Sequence, residues 1–91
     1  MTDAVVENAA TRRFELAIGD QVLFADYRRE GKVLVIRYVE APPSLRGTGA
    51  SGRLMRGIME RVKAEGLTVV PLCGYAASWI RAHREYAGLL A

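Results

Sequence analysis

PPSLRGTGASGRLM, residues Pro42 to Met55, sets three glycines and two arginines between a β-like run and an amphipathic helical pattern. Gly47, Gly49 and Gly52 have the GxGxxG spacing of dinucleotide-binding turns, and the run from Gly47 to Gly52 followed by Arg53 comes near a P-loop. Neither match holds in detail. A dinucleotide-binding turn follows its strand directly and has an acidic residue about 20 positions on for the ribose. Here Pro42 and Pro43 intervene, and the residues around Leu72 and Cys73 include no acid. A P-loop needs Lys and then Ser or Thr after the last glycine, and this chain offers Arg53 and Leu54. What survives is a strand-to-helix turn whose glycines let the backbone approach a ligand. The free N–H groups and dipole of the following helix attract a pyrophosphate there, with Arg46 and Arg53 on either side. A sharp turn with no ligand is the alternative.

Outward from that loop the patterns are regular. RRFELAI alternates Phe14, Leu16 and Ile18 with polar neighbours, and Gly19-Asp20 is a two-residue hairpin loop before QVLFADYR. A second turn at Arg29-Glu30-Gly31 leads into KVLVIRYVE, whose run Val33 to Ile36 suggests a central strand covered on both faces. From Ala50 to Glu65 the residues Leu54, Met55, Ile58, Met59 and Val62 recur at helical spacing until Gly66. LTVV is then a short buried strand, parallel to Lys32 to Val39 because a strand, helix, strand crossover links them. Pro71 removes a backbone donor at its end and weakens pairing before Cys73. A last helix is predicted from about Tyr75 to Ala87, with Tyr75, Trp79, Ile80 and His83 on or near one stripe. The fold class is α/β (α+β): β-β-β-α-β-α, an antiparallel meander with a parallel last strand.

The 91 residues, 51% hydrophobic and 25% charged, are those of one ordinary globular domain. Residues 11–91 read as that domain and 1–10 as a disordered N-terminus. No apolar run approaches a membrane span, and Asp3 and Glu7 stand where a signal peptide would be basic. A single cysteine, Cys73, excludes an internal disulfide and a multi-cysteine metal site and fits a reducing compartment. A cytoplasmic protein without a metal is expected. Residues 1–41 carry six Lys/Arg against seven Asp/Glu, whereas residues 42–91 carry seven against three. The basic half is the half with the glycine loop, which favours a compact polyanion there.

The order strand, Arg46-Gly47-Thr48-Gly49-Ala50-Ser51, amphipathic helix, strand resembles the R/Q-x-x-G-x-G/A motif of the GNAT superfamily of N-acetyltransferases. EAPPSLRGTGASGRLM joined to GLTVVPLCGYAASWIRAHREYAGLL is similar to its very short single-domain members, which carry a P-x-C element and an H-x-E-Y segment. The resemblance covers about Phe14 to Leu90. It implies a minimal GNAT-like fold whose last strand is splayed from the third, and acetyl-CoA as co-substrate. The pyrophosphate would lie on Gly47, Thr48, Gly49, Ala50, Ser51 and Gly52, flanked by Arg46 and Arg53. The pantetheine arm would lie between Arg37 to Ala41, with Val39, Glu40 and Ala41 facing it, and Leu67 to Leu72, ending near Cys73. Ser51 departs from the usual Gly or Ala, and Gly74 and Arg84 replace expected prolines. The chain also lacks the N-terminal helices and C-terminal strands that build the acceptor pocket in full-length members.

Acetyl transfer needs a deprotonated nucleophile, a donor for the thioester oxygen and a proton for the leaving thiolate. Cys73 is a candidate to receive the acetyl group or to protonate the thiolate, since a helix start can lower a thiol pKa; a small buried hydrophobe is the alternative. Glu40 is a candidate base and Tyr75 a candidate acid, the latter by resemblance. His83 lies about 15 Å along a helix from Cys73 and is expected to pack with Tyr86 or cap the helix end. The expected function is acetyl-CoA-dependent N-acetyltransfer to an unidentified amine, directly or through Cys73. A CoA or acyl-CoA binding module and, below it, a basic nucleic-acid module are the rivals. A monomer or weak homodimer, without membrane, is expected.

Overall fold

A computed structural model describes residues 4–91. Five strands form one sheet in sequence order: β1 (Val6–Asn8), β2 (Arg13–Ile18), β3 (Gln21–Glu30), β4 (Val33–Glu40) and β5 (Thr68–Pro71). A 3-10 turn at Pro43–Leu45 precedes α1 (Ala50–Glu65), and α2 (Gly74–Ala82) and α3 (Arg84–Ala87) follow β5. β1 to β4 are antiparallel neighbours and β4 pairs with β5 in parallel. This mixed α+β order is that of a minimal GNAT-like fold.

The hairpin at Gly19-Asp20 forms as expected, pairing Ile18 with Gln21, and α1 has the predicted bounds, closed by a left-handed Gly66. Three expectations are corrected. The disordered reading of 1–10 falls partly on residues 1–3, outside the described residues, but Val6–Asn8 forms β1 by pairing with Arg13 to Glu15. The last helix is interrupted: His83 leaves helical geometry at φ −110°, ψ 94°, so α2 ends at Ala82. Its buried stripe is Ala76 and Ile80, whereas Tyr75 is 43% exposed.

The core lies on one face of the sheet. Phe14, Leu16, Leu23, Ala25, Tyr27, Leu34, Ile36 and Val69 join Leu54, Met55, Ile58 and Met59 of α1 and Ala76 and Ile80 of α2 in one cluster. Val35 is buried but stands outside that cluster, on the opposite face with Phe24 and Tyr38. β4 is thus buried on both sides at its centre, although helices cover only one side.

β1 is fastened to α1 at close range. A Cβ on Gly57 would lie 2.2 Å from Cγ2 of Val5, so only glycine admits this approach. Arg61 donates to the Val5 carbonyl at 3.2 Å. Glu7 accepts the Tyr27 hydroxyl and the Nε and Nη2 of Arg29 at 3.1 and 3.0 Å, and Arg61 lies 3.7 Å away. The Arg29 hydrogen bonds, against the opposing effect of burial, hold the Glu7 carboxyl below the usual carboxylate range. A carboxyl lowered on folding stabilises the fold above its unfolded pKa, and that stabilisation is lost as pH falls through the folded value. Thermal melts should therefore show Glu7→Gln less stable than wild type at pH 7, with the gap closing toward pH 3.

Candidate active site

Strand pairing decides where the sheet opens. β4 and β5 run together from Val33 with Thr68 to Ile36 with Pro71, and the Leu72 N–H still donates to the Ile36 carbonyl at 2.9 Å. β4 then continues to Glu40 beside β3 alone. The register of β3 with β4 slips between Tyr27 with Ile36 and Asp26 with Tyr38, so Arg37 is an extra residue. Such a bulge bends its strand and ends regular pairing. In antiparallel pairing successive residues turn their N–H and C=O alternately toward and away from the partner. The Tyr27 N–H donates to the Arg12 carbonyl at 3.0 Å, on the β2 side, so Asp26 and Phe24 turn their backbone groups to Tyr38 and Glu40, and the backbone of Val39 is turned to the side that β5 has left.

The second wall of this cleft is corrected from the sequence reading. Thr68 to Pro71 stays paired throughout, because a proline's missing N–H costs nothing where that position faces away from the ladder. The opening lies instead between Arg37 to Ala41 and the chain from Cys73 onward. Cys73 is the N-cap of α2, half-buried against the core, and its carbonyl accepts the Ala77 N–H at 3.0 Å. Tyr75 follows in the first turn; burial, then the neighbouring Cys73, pushes its hydroxyl above the ordinary tyrosine value, which keeps it protonated at neutral pH.

The glycine loop stands beside this cleft. Arg46 donates through Nε to the Ala41 carbonyl at 3.1 Å and lies 3.7 Å from the Glu40 carboxylate, binding the loop to the end of β4. Thr48 donates its hydroxyl to the Leu45 carbonyl at 2.6 Å and accepts the Ala50 N–H at 3.3 Å. Gly49, the N-cap of α1, has φ 87° and ψ −1°, and Gly47 has φ 78°. The Thr48 and Ala50 amides are thereby used within the loop. Those of Gly47, Gly49, Ser51 and Gly52 meet no acceptor among the described residues. Four donors without a protein acceptor at or just before one helix start, with no acid in the first turn, are an arrangement that favours an anion.

The family model of GCN5-related N-acetyl-transferases matches residues 13–89. The chain belongs to that family. No curated protein sequence matches it. A GCN5-related N-acetyltransferase has acetyl transfer as its general function, and the family generally uses acetyl-CoA.

In this N-acetyltransferase the residues singled out from sequence fall into two groups. Val39, Glu40, Ala41 and the stretch from Arg46 to Arg53 form one continuous rim, from the end of β4 to the first turn of α1. Cys73 caps α2 and Tyr75 lies in its first turn, just past the point where β5 ends beside β4. Glu40 is paired with Arg46, on the loop side of the cleft. His83 is apart from both groups: its ring stacks on Trp79 with centroids 3.7 Å apart, and Nδ1 lies 2.7 Å from the Trp79 carbonyl. It caps the end of α2 as expected, but packs on Trp79 rather than Tyr86.

Sequence reasoning placed Trp79 on the stripe of the last helix and gave it no part in the site; it packs partly buried against the core. Its indole reaches the α1 N-terminus, and a Cβ on Gly52 would lie 3.2 Å from Nε1. The available signal was the one-turn spacing of Trp79 and His83, which permits ring stacking on one helix face. It also missed Asp26, whose buried Oδ1 has no hydrogen-bond partner among the described residues and lies 3.5 Å from Arg37 at the bulge.

Proposed function

We propose that this chain is a minimal acetyl-CoA-dependent N-acetyltransferase acting on an amine. The observation that carries it is the adjacency of the cleft beyond Ile36 and Leu72 to the unpaired amides of Gly47, Gly49, Ser51 and Gly52. The diphosphate would be held on those amides, with Arg46 and Arg53 adding positive charge. The amide-bearing pantetheine arm would pair with the backbone of Val39, between Tyr38 and Glu40, as an added strand would. The thioester would then lie near Cys73.

In direct transfer the neutral amine attacks the thioester carbonyl, the C–S bond breaks, and the departing thiolate takes a proton from Tyr75 or Cys73. The amine's surplus proton leaves to Glu40 or to water. In the covalent route the Cys73 thiol gives its proton to Glu40 or water and attacks the thioester carbonyl, the coenzyme C–S bond breaks and its thiolate takes a proton from Tyr75 or water. The amine then attacks the Cys73 thioester, that C–S bond breaks, and the Cys73 thiolate takes up the amine's surplus proton. Glu40 can serve as base only if it exchanges its Arg46 partner for the amine proton. That engagement favours a second reading, a coenzyme A binding module without transfer.

Calorimetry with acetyl-CoA and thiol release in a panel of amines separate the two. Binding with amine-dependent thiol release is the expected result, and binding without turnover supports the module. Cys73→Ala should retain acetyl-CoA affinity and lose turnover. Unchanged turnover in that variant would assign the leaving-group proton to Tyr75.

A further inference from the structure

We propose that the indole N–H of Trp79 is an additional donor to the diphosphate of coenzyme A, so that α2 helps the glycine loop select the nucleotide-bearing form of the acyl donor. The inference rests on the reading of the α1 N-terminus as the diphosphate seat.

Nε1 of Trp79 occupies the space directly beside Gly52, at 3.2 Å from where a Cβ would stand. Gly52 is the third residue of α1, and a helical Cβ is tilted toward the N-terminus. The indole nitrogen therefore lies against the first turn of α1, the turn that carries the Ser51 and Gly52 amides. An indole N–H can only donate, and a half-buried tryptophan ordinarily finds an acceptor for it. Among the described residues this one has none, while its ring is held on several sides. His83 stacks at 3.7 Å and 17°, Tyr86 at 5.8 Å and 20°, and the Arg56 guanidinium stands 5.8 Å from the ring centroid. The donor is thus held in position without a protein acceptor among the described residues, beside other such donors. Any residue larger than glycine at position 52 would press the indole away.

Trp79→Phe keeps an aromatic ring between His83 and Tyr86 and removes the donor. Its affinity should be compared by titration for acetyl-CoA and for S-acetylpantetheine, which lacks the diphosphate. The expected result is about tenfold weaker binding of acetyl-CoA, the loss of one hydrogen bond to a charged group, with S-acetylpantetheine unaffected. Gly52→Ala, which shifts the indole by a few tenths of an ångström without removing it, should show a smaller loss of the same selectivity. Equal acetyl-CoA affinity in wild type and Trp79→Phe, or equal losses for both ligands, would overturn the inference. Wild type that binds S-acetylpantetheine as tightly as acetyl-CoA would instead overturn the diphosphate seat itself.

Discussion

Gly49→Val is expected to bind acetyl-CoA about 10- to 100-fold more weakly than wild type, because holding a β-branched residue in left-handed geometry costs about 1–3 kcal/mol. The residue has φ 87° and ψ −1°, and a Cβ there would meet nothing within 4 Å. Space is therefore not the obstacle; the backbone is. A valine relieves its strain by rotating the peptide planes on either side, which turns the Gly49 amide and, through the Ala50 peptide, the entry into α1. The same rotation disturbs the Thr48 hydroxyl bridge to Ala50. Because the loop is exposed and adds little to the core, the midpoint of thermal unfolding should move far less than the affinity does. Calorimetric titration beside a thermal melt measures both, and wild-type affinity in this variant would detach the left-handed turn from ligand binding.

Tyr86→Ala should have the largest effect on stability, about 3–5 kcal/mol, as for other aromatic truncations in cores. For a domain of this size that lowers the melting midpoint by about 4–8 °C per kcal/mol. Tyr86 is 1% exposed, stacks on Trp79, and donates its hydroxyl to Glu60 while receiving Nη1 of Arg56 at 3.3 Å. Burial, then the Glu60 bond, raises its hydroxyl above the ordinary tyrosine value, so it remains a donor through neutral pH. Removing the ring leaves a cavity under α3 and strands a carboxylate and a guanidinium together. Tyr86→Phe removes only the hydroxyl and should cost about 1 kcal/mol. Chemical denaturation of both variants separates the ring from its polar end.

The elements most legible in the sequence were those set by local periodicity. α1 announces itself through Leu54, Met55, Ile58, Met59 and Val62, and its stop through Gly66. The β2–β3 hairpin is written in Gly19-Asp20. Three features depend on contacts distant in sequence and had no local sign. β1 is a strand only because Glu7 meets Tyr27, Arg29 and Arg61, and because Gly57 makes room for Val5. The break at His83 has no proline or glycine to mark it and follows from the ring turning back onto Trp79. Arg37 looks like any polar residue in a β run, yet it is the unpaired one. For the site, the glycine loop could be placed from its own residues, and the family match covers it. The Trp79 indole beside Gly52 could not, because it joins positions 27 residues apart on different helices.

The unpaired Arg37 also sets a conflict between two kinds of fitness. Tyr27 with Ile36 and Asp26 with Tyr38 are consecutive partners on either side of it, so its removal would leave each pair intact and merely straighten the strand. The ladder of β3 with β4 would then run unbroken, at the expense of the bend beside which β5 ends. One residue thus withholds part of the sheet's cohesion to keep a doorway open. Changes that make this small protein more durable and changes that keep it useful are opposed at this position.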